Sequence, residues 1–106
     1  MQLQQVRYFL AVHQERSFTR AARRCGVSQP SLTNAIRRLE QDLGGELFKR
    51  KPEVALTVLG HAVHPYLQRI AENADFARDT AQALATSAHH RAASVEQLAT
   101  GQSAGV

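Results

Sequence analysis

Residues 17–43 read SFTRAARRCGVSQPSLTNAIRRLEQDL, and their spacing decides the fold. Ser17 can accept an orphan N–H of a first helical turn, which marks a helix start. Phe18, Ala21, Ala22 and Cys25 then recur at helical intervals. Gly26 follows, as expected where a short helix ends in a left-handed residue. Val27 is a single apolar anchor in a tight turn. Ser28 is a second N-cap, and Pro30 falls in the first turn of the next helix, where its missing N–H costs nothing. From there Leu32, Ile36, Leu39 and Leu43 advance by four, three and four, which is one buried stripe. The opposite side carries Gln29, Ser31, Thr33, Asn34, Arg37, Arg38 and Gln41. An apolar back with a hydrogen-bonding, basic front is what a helix-turn-helix needs to seat one helix in a major groove of DNA.

Working outward, residues 2–15 form a first helix, with Leu3, Val6, Phe9, Leu10 and His13 on one stripe. Tyr8 lies off it and packs against another element or a dimer partner. Beyond Leu43, Gly44 is the expected C-terminal cap. Residues 46–50 and 54–57 then read as two short strands around a turn at Lys51-Pro52-Glu53. Such a ribbon after the groove helix is a wing, spanning 47–56 between its anchors, and Arg50 and Lys51 project from it toward the DNA backbone or the minor groove. A long helix is expected over 58–86, with Thr57 as its cap and Gly60 as a weak spot. In it Val63, Leu67, Ile70, Ala74, Ala77, Ala81 and Leu84 advance by alternating fours and threes, a heptad seam fit for a dimer. The remaining residues, 87–106, break the heptad and are rich in Ser, Gly, Ala and Thr, so a flexible tail is expected.

The fold class is therefore mainly α: three helices and a two-stranded wing over 1–57, then a long dimerising helix over 58–86. Charge follows the same division. Residues 1–60 hold ten Lys/Arg against five Asp/Glu, and residues 61–106 hold three against four. The positive excess lies wholly in the globular part and favours a polyanionic partner. No apolar run is long enough to span a membrane. The first residues lack the features of a secretory signal. A single cysteine excludes an internal disulfide, and a reducing cytoplasm fits. His61 and His64 are three apart, but without a further ligand in reach they make no metal site. No nucleophile–base pair or glycine-rich phosphate loop argues for an enzyme, and no cofactor is implied.

Within the groove helix, residues 29–42, the N-terminal half should meet the bases. Gln29, Pro30, Thr33 and Asn34 fit that by spacing. Gln29 and Asn34 can pair bidentately with adenine, Thr33 can use its methyl or hydroxyl, and Pro30 can touch a thymine methyl. Arg37 and Arg38 are better placed for phosphates. Ser28 and Ser31 can donate to phosphates too, although Ser28 is first a cap. Arg20, Arg23 and Arg24 lie on the polar side of the second helix, either as phosphate contacts or as a solvated face.

At these residues the sequence resembles the N-terminal DNA-binding domain of LysR-type transcriptional regulators. The strings that carry the resemblance are SFTRAARRCGVSQPSLTNAIRRLEQDLGGELFKR at 17–50 and ALTVLG at 55–60, within a similarity over about residues 2–86. It implies a winged helix-turn-helix with a linker helix that pairs as an antiparallel or crossed dimer. Gln29, Pro30, Thr33 and Asn34 match the family's base-contacting positions, and Arg50 matches its wing arginine. The family often has a basic residue where Asn34 stands, so the base read there is left open. The partners implied are a double-stranded, interrupted pseudo-palindromic operator and a second copy of the chain, in a bacterial cytoplasm. The family's C-terminal effector-binding domain is not among these residues, so no small-molecule effector is expected to bind. The alternative from another class is a dimerisation module that forms mixed dimers with a full-length regulator.

Overall fold

The computed structural model describes residues 1–103, with side chains described for 1–89 and Arg91. Its elements in order are α1 (Leu3–Glu15), α2 (Phe18–Cys25), α3 (Gln29–Leu43), β1 (Phe48–Lys49), β2 (Ala55–Leu56) and α4 (Val58–Ser103). The chain divides into two units, Met1–Glu72 and Asn73–Val106.

Local chemistry sets each boundary in the first unit. Ser17 Oγ accepts the Arg20 N–H at 3.1 Å and opens α2. Gly26 closes it at φ +69°, a left-handed conformation that strains residues with a side chain. Ser28 Oγ accepts the Ser31 N–H at 3.2 Å and opens α3, with Pro30 in its first turn. Gly44 closes α3 at φ +86°. Thr57 Oγ1 accepts the Gly60 N–H at 3.0 Å and opens α4.

The wing is shorter than its hydrophobic pattern suggests. Only two residues pair on each strand, antiparallel, with Phe48 opposite Leu56 and Lys49 opposite Ala55. The Lys51–Pro52 peptide bond in the turn is cis. Phe48 and Leu56 point inward; Lys49 and Ala55 point to solvent.

The core draws on every element of the unit. Val6, Phe9 and Val12 of α1 meet Ala21 and Ala22 of α2, Leu32, Ile36 and Leu39 of α3, and Leu47 and Phe48 at the wing. Because α2 and α3 both pack on α1, this helix buries more than one stripe. Tyr8, Ala11 and Val12 are buried along with Val6, Phe9 and Leu10. Tyr8 thus belongs to the chain's own core, and Leu3 is only half-buried.

Two expectations for the long helix need correction. First, α4 does not end near residue 86 but continues to Ser103. Nothing between Thr86 and Thr100 breaks a helix: there is no proline, glycine first returns at Gly101, and Ala88, Ala92, Ala93 and Ala99 favour helix. The expected flexible tail is helical over 87–103, and its last three residues, 104–106, lie outside the described residues. Second, the boundary of the globular unit falls after Glu72 rather than after Thr57. Leu59 and Val63 pack on the core, and Leu67 and Ala71 are part of it. The first half of the expected seam, Val63 and Leu67, is therefore used within the chain, Leu67 being only 2% exposed. Ile70 in the first unit stays exposed; in the second, Ala77, Ala81 and Leu84 are exposed and Ala74 is half-buried.

The contact between α1 and α4 includes a histidine pair. The His13 and His64 rings meet edge-on at 4.7 Å between centroids, and Phe9 lies 6.1 Å from His64. Burial, then the nearby His64, Arg16 and His61, push the His13 pKa below its ordinary value of 6.5. A depressed histidine pKa favours the neutral ring in the folded state. Its contribution to stability is therefore complete above pH 6.5 and is lost as pH falls through the folded pKa. The denaturant midpoint should fall between pH 7.5 and about pH 5, and His13→Gln should flatten that fall. Parallel pH profiles for the two chains would remove His13 as its source.

Candidate nucleic-acid interface

The outward face of α3 is built from its cap onward. Gln29, Pro30, Ser31, Asn34, Arg37, Arg38 and Gln41 are all exposed, while Leu32, Ile36 and Leu39 hold the other side in the core. The Ser28 hydroxyl donates to Ser31 Oγ at 2.9 Å. Ser28 is thereby engaged twice, as a cap and as a donor, and Ser31 keeps its own proton for an outside acceptor. Ser31, Asn34 and Arg38 share a recess of about 300 Å³ with Gln2, Gln4, Gln5 and Tyr8 at the start of α1.

Thr33 sits differently. It is 9% exposed and counts with the buried polar groups. It directly follows Leu32 and precedes Ile36 by three residues, so its β-carbon falls at the edge of the buried stripe. Its hydroxyl and methyl, expected to read bases, are thus far less open than the exposed Asn34 beside it. Spacing alone could not separate it from Asn34, because the width of the buried stripe depends on how closely the neighbouring elements cover it.

The wing stands beside α3 across a cleft of about 400 Å³ lined by Arg37 and Glu40 of α3 and by Glu46, Lys49, Arg50 and Lys51. Four cations against two carboxylates leave it positive. One of those carboxylates is already committed, since Glu40 Oε2 accepts the Leu47 N–H at 2.7 Å. Arg50 is held in place by its ring contact: its guanidinium lies 4.2 Å from the centre of the Phe18 ring. Phe18 in turn meets Phe48 edge-on at 5.7 Å, and Phe48 meets Phe9 at 5.2 Å. Such a cation over an aromatic face gains about 0.5–1 kcal/mol at an exposed site. The wing arginine is thus braced by a stack of rings that reaches the centre of the core. Lys51, next in the turn, is exposed.

On α2 the arginines divide. Glu15 pairs with Arg24 at 3.3 Å and lies 3.9 Å from the Arg20 Nε, and Arg20 also donates to the Glu15 carbonyl at 2.6 Å. Arg23 is exposed on the same helix. The sequence signals missed three supporting residues: Glu15, Glu40 and Phe18. Each acts across an element boundary, and periodicity within one helix carries no such information. Among the described residues no group of three or more His, Cys, Asp or Glu could hold a metal ion, and no helix is long and apolar enough to cross a membrane.

Residues 3–61 match the model of the bacterial regulatory helix-turn-helix proteins of the lysR family. The HTH-type transcriptional regulator BudR of Klebsiella aerogenes is 43% identical over 86 residues, covering 80% of this chain and 60% of BudR. The chain thus spans less than two thirds of that relative. Among solved structures, the BenM DNA-binding domain in complex with the catB site 1 DNA superimposes with a TM-score of 0.75 at 36% identity, over 80% of this chain and 97% of that one. The CbnR DNA-binding domain in complex with DNA gives 0.72 at 38% identity, over 80% of this chain and 99% of that one.

Proposed function

Because the chain belongs to the LysR family of bacterial helix-turn-helix regulators, and is a DNA-binding module rather than an enzyme, we propose that it acts as a homodimer on an interrupted pseudo-palindrome to regulate transcription at the bacterial nucleoid. Each subunit lays the exposed face of α3 in a major groove and its wing on the adjoining backbone or minor groove. Gln29 and Asn34 read base edges, with Pro30 in apolar contact. Ser31, Arg37, Arg38, Arg50 and Lys51 hold phosphates, while Ser28, whose proton is already given to Ser31, orders the start of α3. The dimer forms through the apolar positions that α4 leaves exposed, including Ile70 and Leu84.

The observation that carries this reading is the side-by-side placement of an exposed polar α3 face and a braced, cationic wing. Phosphate contacts supply affinity without sequence information, and base-edge contacts supply preference. The two sets should therefore separate in one experiment. Asn34→Ala should lower preference for the selected site by about 1–3 kcal/mol while leaving random duplexes nearly untouched. Arg37→Ala should weaken binding to every duplex and flatten the dependence of log affinity on log salt by about one unit. Equal losses on both DNAs for Asn34→Ala would remove it as a reader, and an unchanged slope would remove Arg37 from the phosphate set. Light scattering on the selected complex reports the stoichiometry, and one chain per duplex would overturn the homodimer.

A further inference from the structure

Gln29 is tied to α2. The Thr19 hydroxyl, in the first turn of that helix, donates to Gln29 Oε1 at 3.1 Å, and both residues are exposed. A glutamine amide is two-ended, with an acceptor oxygen and a nitrogen bearing two protons. Bidentate pairing with adenine uses both ends at one base edge: the oxygen takes the N6 proton and the nitrogen donates to N7. The Thr19 proton takes one of the two lone pairs of the oxygen and anchors that end to α2, so the amide is not free to turn and meet a base edge with both ends. Thr19 is a stiff anchor, because branching at its β-carbon restricts χ1 in a helix.

We infer that Thr19 is a positioning residue for base reading: its hydroxyl holds the Gln29 oxygen and makes Gln29 a donor toward acceptor-bearing edges rather than a two-ended partner for adenine. The edges that fit are N7 and O6 of guanine and O4 of thymine. Adenine offers the nitrogen only N7, and its N6 amine can reach the Gln29 oxygen only at the remaining lone pair of an amide held by Thr19, which makes adenine the poorer partner. The inference rests on the proposed DNA-binding role of α3 and adds to it a residue outside the groove helix that sets the preference within it.

The test uses the whole chain and a library of randomised duplexes. The base position read by Gln29 is first located as the one whose preference disappears in Gln29→Ala. Thr19→Val removes the hydroxyl with little change in shape, and Thr19→Ser keeps it. Thr19→Val should shift the selected base at that position toward adenine by about fivefold or more. Thr19→Ser should retain the original preference, and binding to a random duplex should change less than twofold in either variant. In a Gln29→Ala background Thr19→Val should cause no further shift. An unchanged profile for Thr19→Val, or a shift that persists without Gln29, overturns the inference and leaves the DNA-binding role standing. A wild-type chain that enriches no sequence at all overturns the proposed function, and the inference falls with it.

Discussion

Phe48→Ala is expected to cost about 3–5 kcal/mol of folding stability, the usual loss for truncating a buried phenylalanine. Domains of this size have about 5–15 kcal/mol in total, so the loss is a large share of the whole. The residue justifies that figure because it is 5% exposed and lies between Phe9 and Phe18, which contact it from opposite elements of the unit. Removing it opens a cavity that neither helix can close without moving the strand. It also takes away the ring against which Phe18 is set, and Phe18 is the surface on which Arg50 rests. The melting midpoint should drop by about 15 °C or more. Phe48→Leu should recover part of that loss by refilling the space. A fall of less than about 1 kcal/mol for Phe48→Ala would mean that the wing is packed far more loosely than its burial states.

Gly60→Ala should destabilise the protein by roughly 1–3 kcal/mol through overpacking. The sign is the informative part. Glycine inside a helix is ordinarily a weakness, and alanine there stabilises by about 1 kcal/mol. At this position an added β-carbon would lie 2.3 Å from the carbonyl oxygen of Leu47 and 3.1 Å from a Leu56 methyl. The nearer atom is backbone, and it already accepts the Thr57 N–H at 3.0 Å, so it cannot swing away cheaply. The first turn of α4 would have to lift off the base of the wing. Chemical denaturation of the two proteins decides the matter: a higher midpoint for the alanine variant would show that the approach of α4 to Leu47 relaxes readily.

Gly60 also illustrates where sequence reading stops. The second and third helices were legible because each boundary is written in neighbouring residues: Ser17, Gly26, Ser28 with Pro30, and Gly44. The buried stripe of α3 was legible because Leu32, Ile36 and Leu39 repeat at the helical period. The exposed face followed as its complement, apart from Thr33, which is nearly buried. Gly60 looked like a flaw because its reason for being small lies thirteen positions earlier in the chain, in the backbone of Leu47. The seam of α4 was misassigned in its first half for a related reason. A heptad pattern identifies an apolar face without stating what covers it, and Val63 and Leu67 are covered by the core of their own chain. The extent of α4 was missed because serine and threonine were read as signs of disorder, although no breaker separates them from the helix before Gly101.

The bond from Leu47 N–H to the Glu40 carboxylate has a consequence for the DNA rather than for the protein. It joins the last turn of α3 to the residue that leads into β1. If α3 and the wing dock on DNA as proposed, their separation is thus set before any duplex arrives, in the manner of a pair of calipers. A duplex must match that gap with the distance from its major-groove floor to the neighbouring strand. Where its base steps are stiff and the gap is wrong, the duplex must deform, at an energy that depends on steps no side chain touches. Discrimination at such untouched steps would then be a property of one carboxylate that is itself bound to the protein backbone.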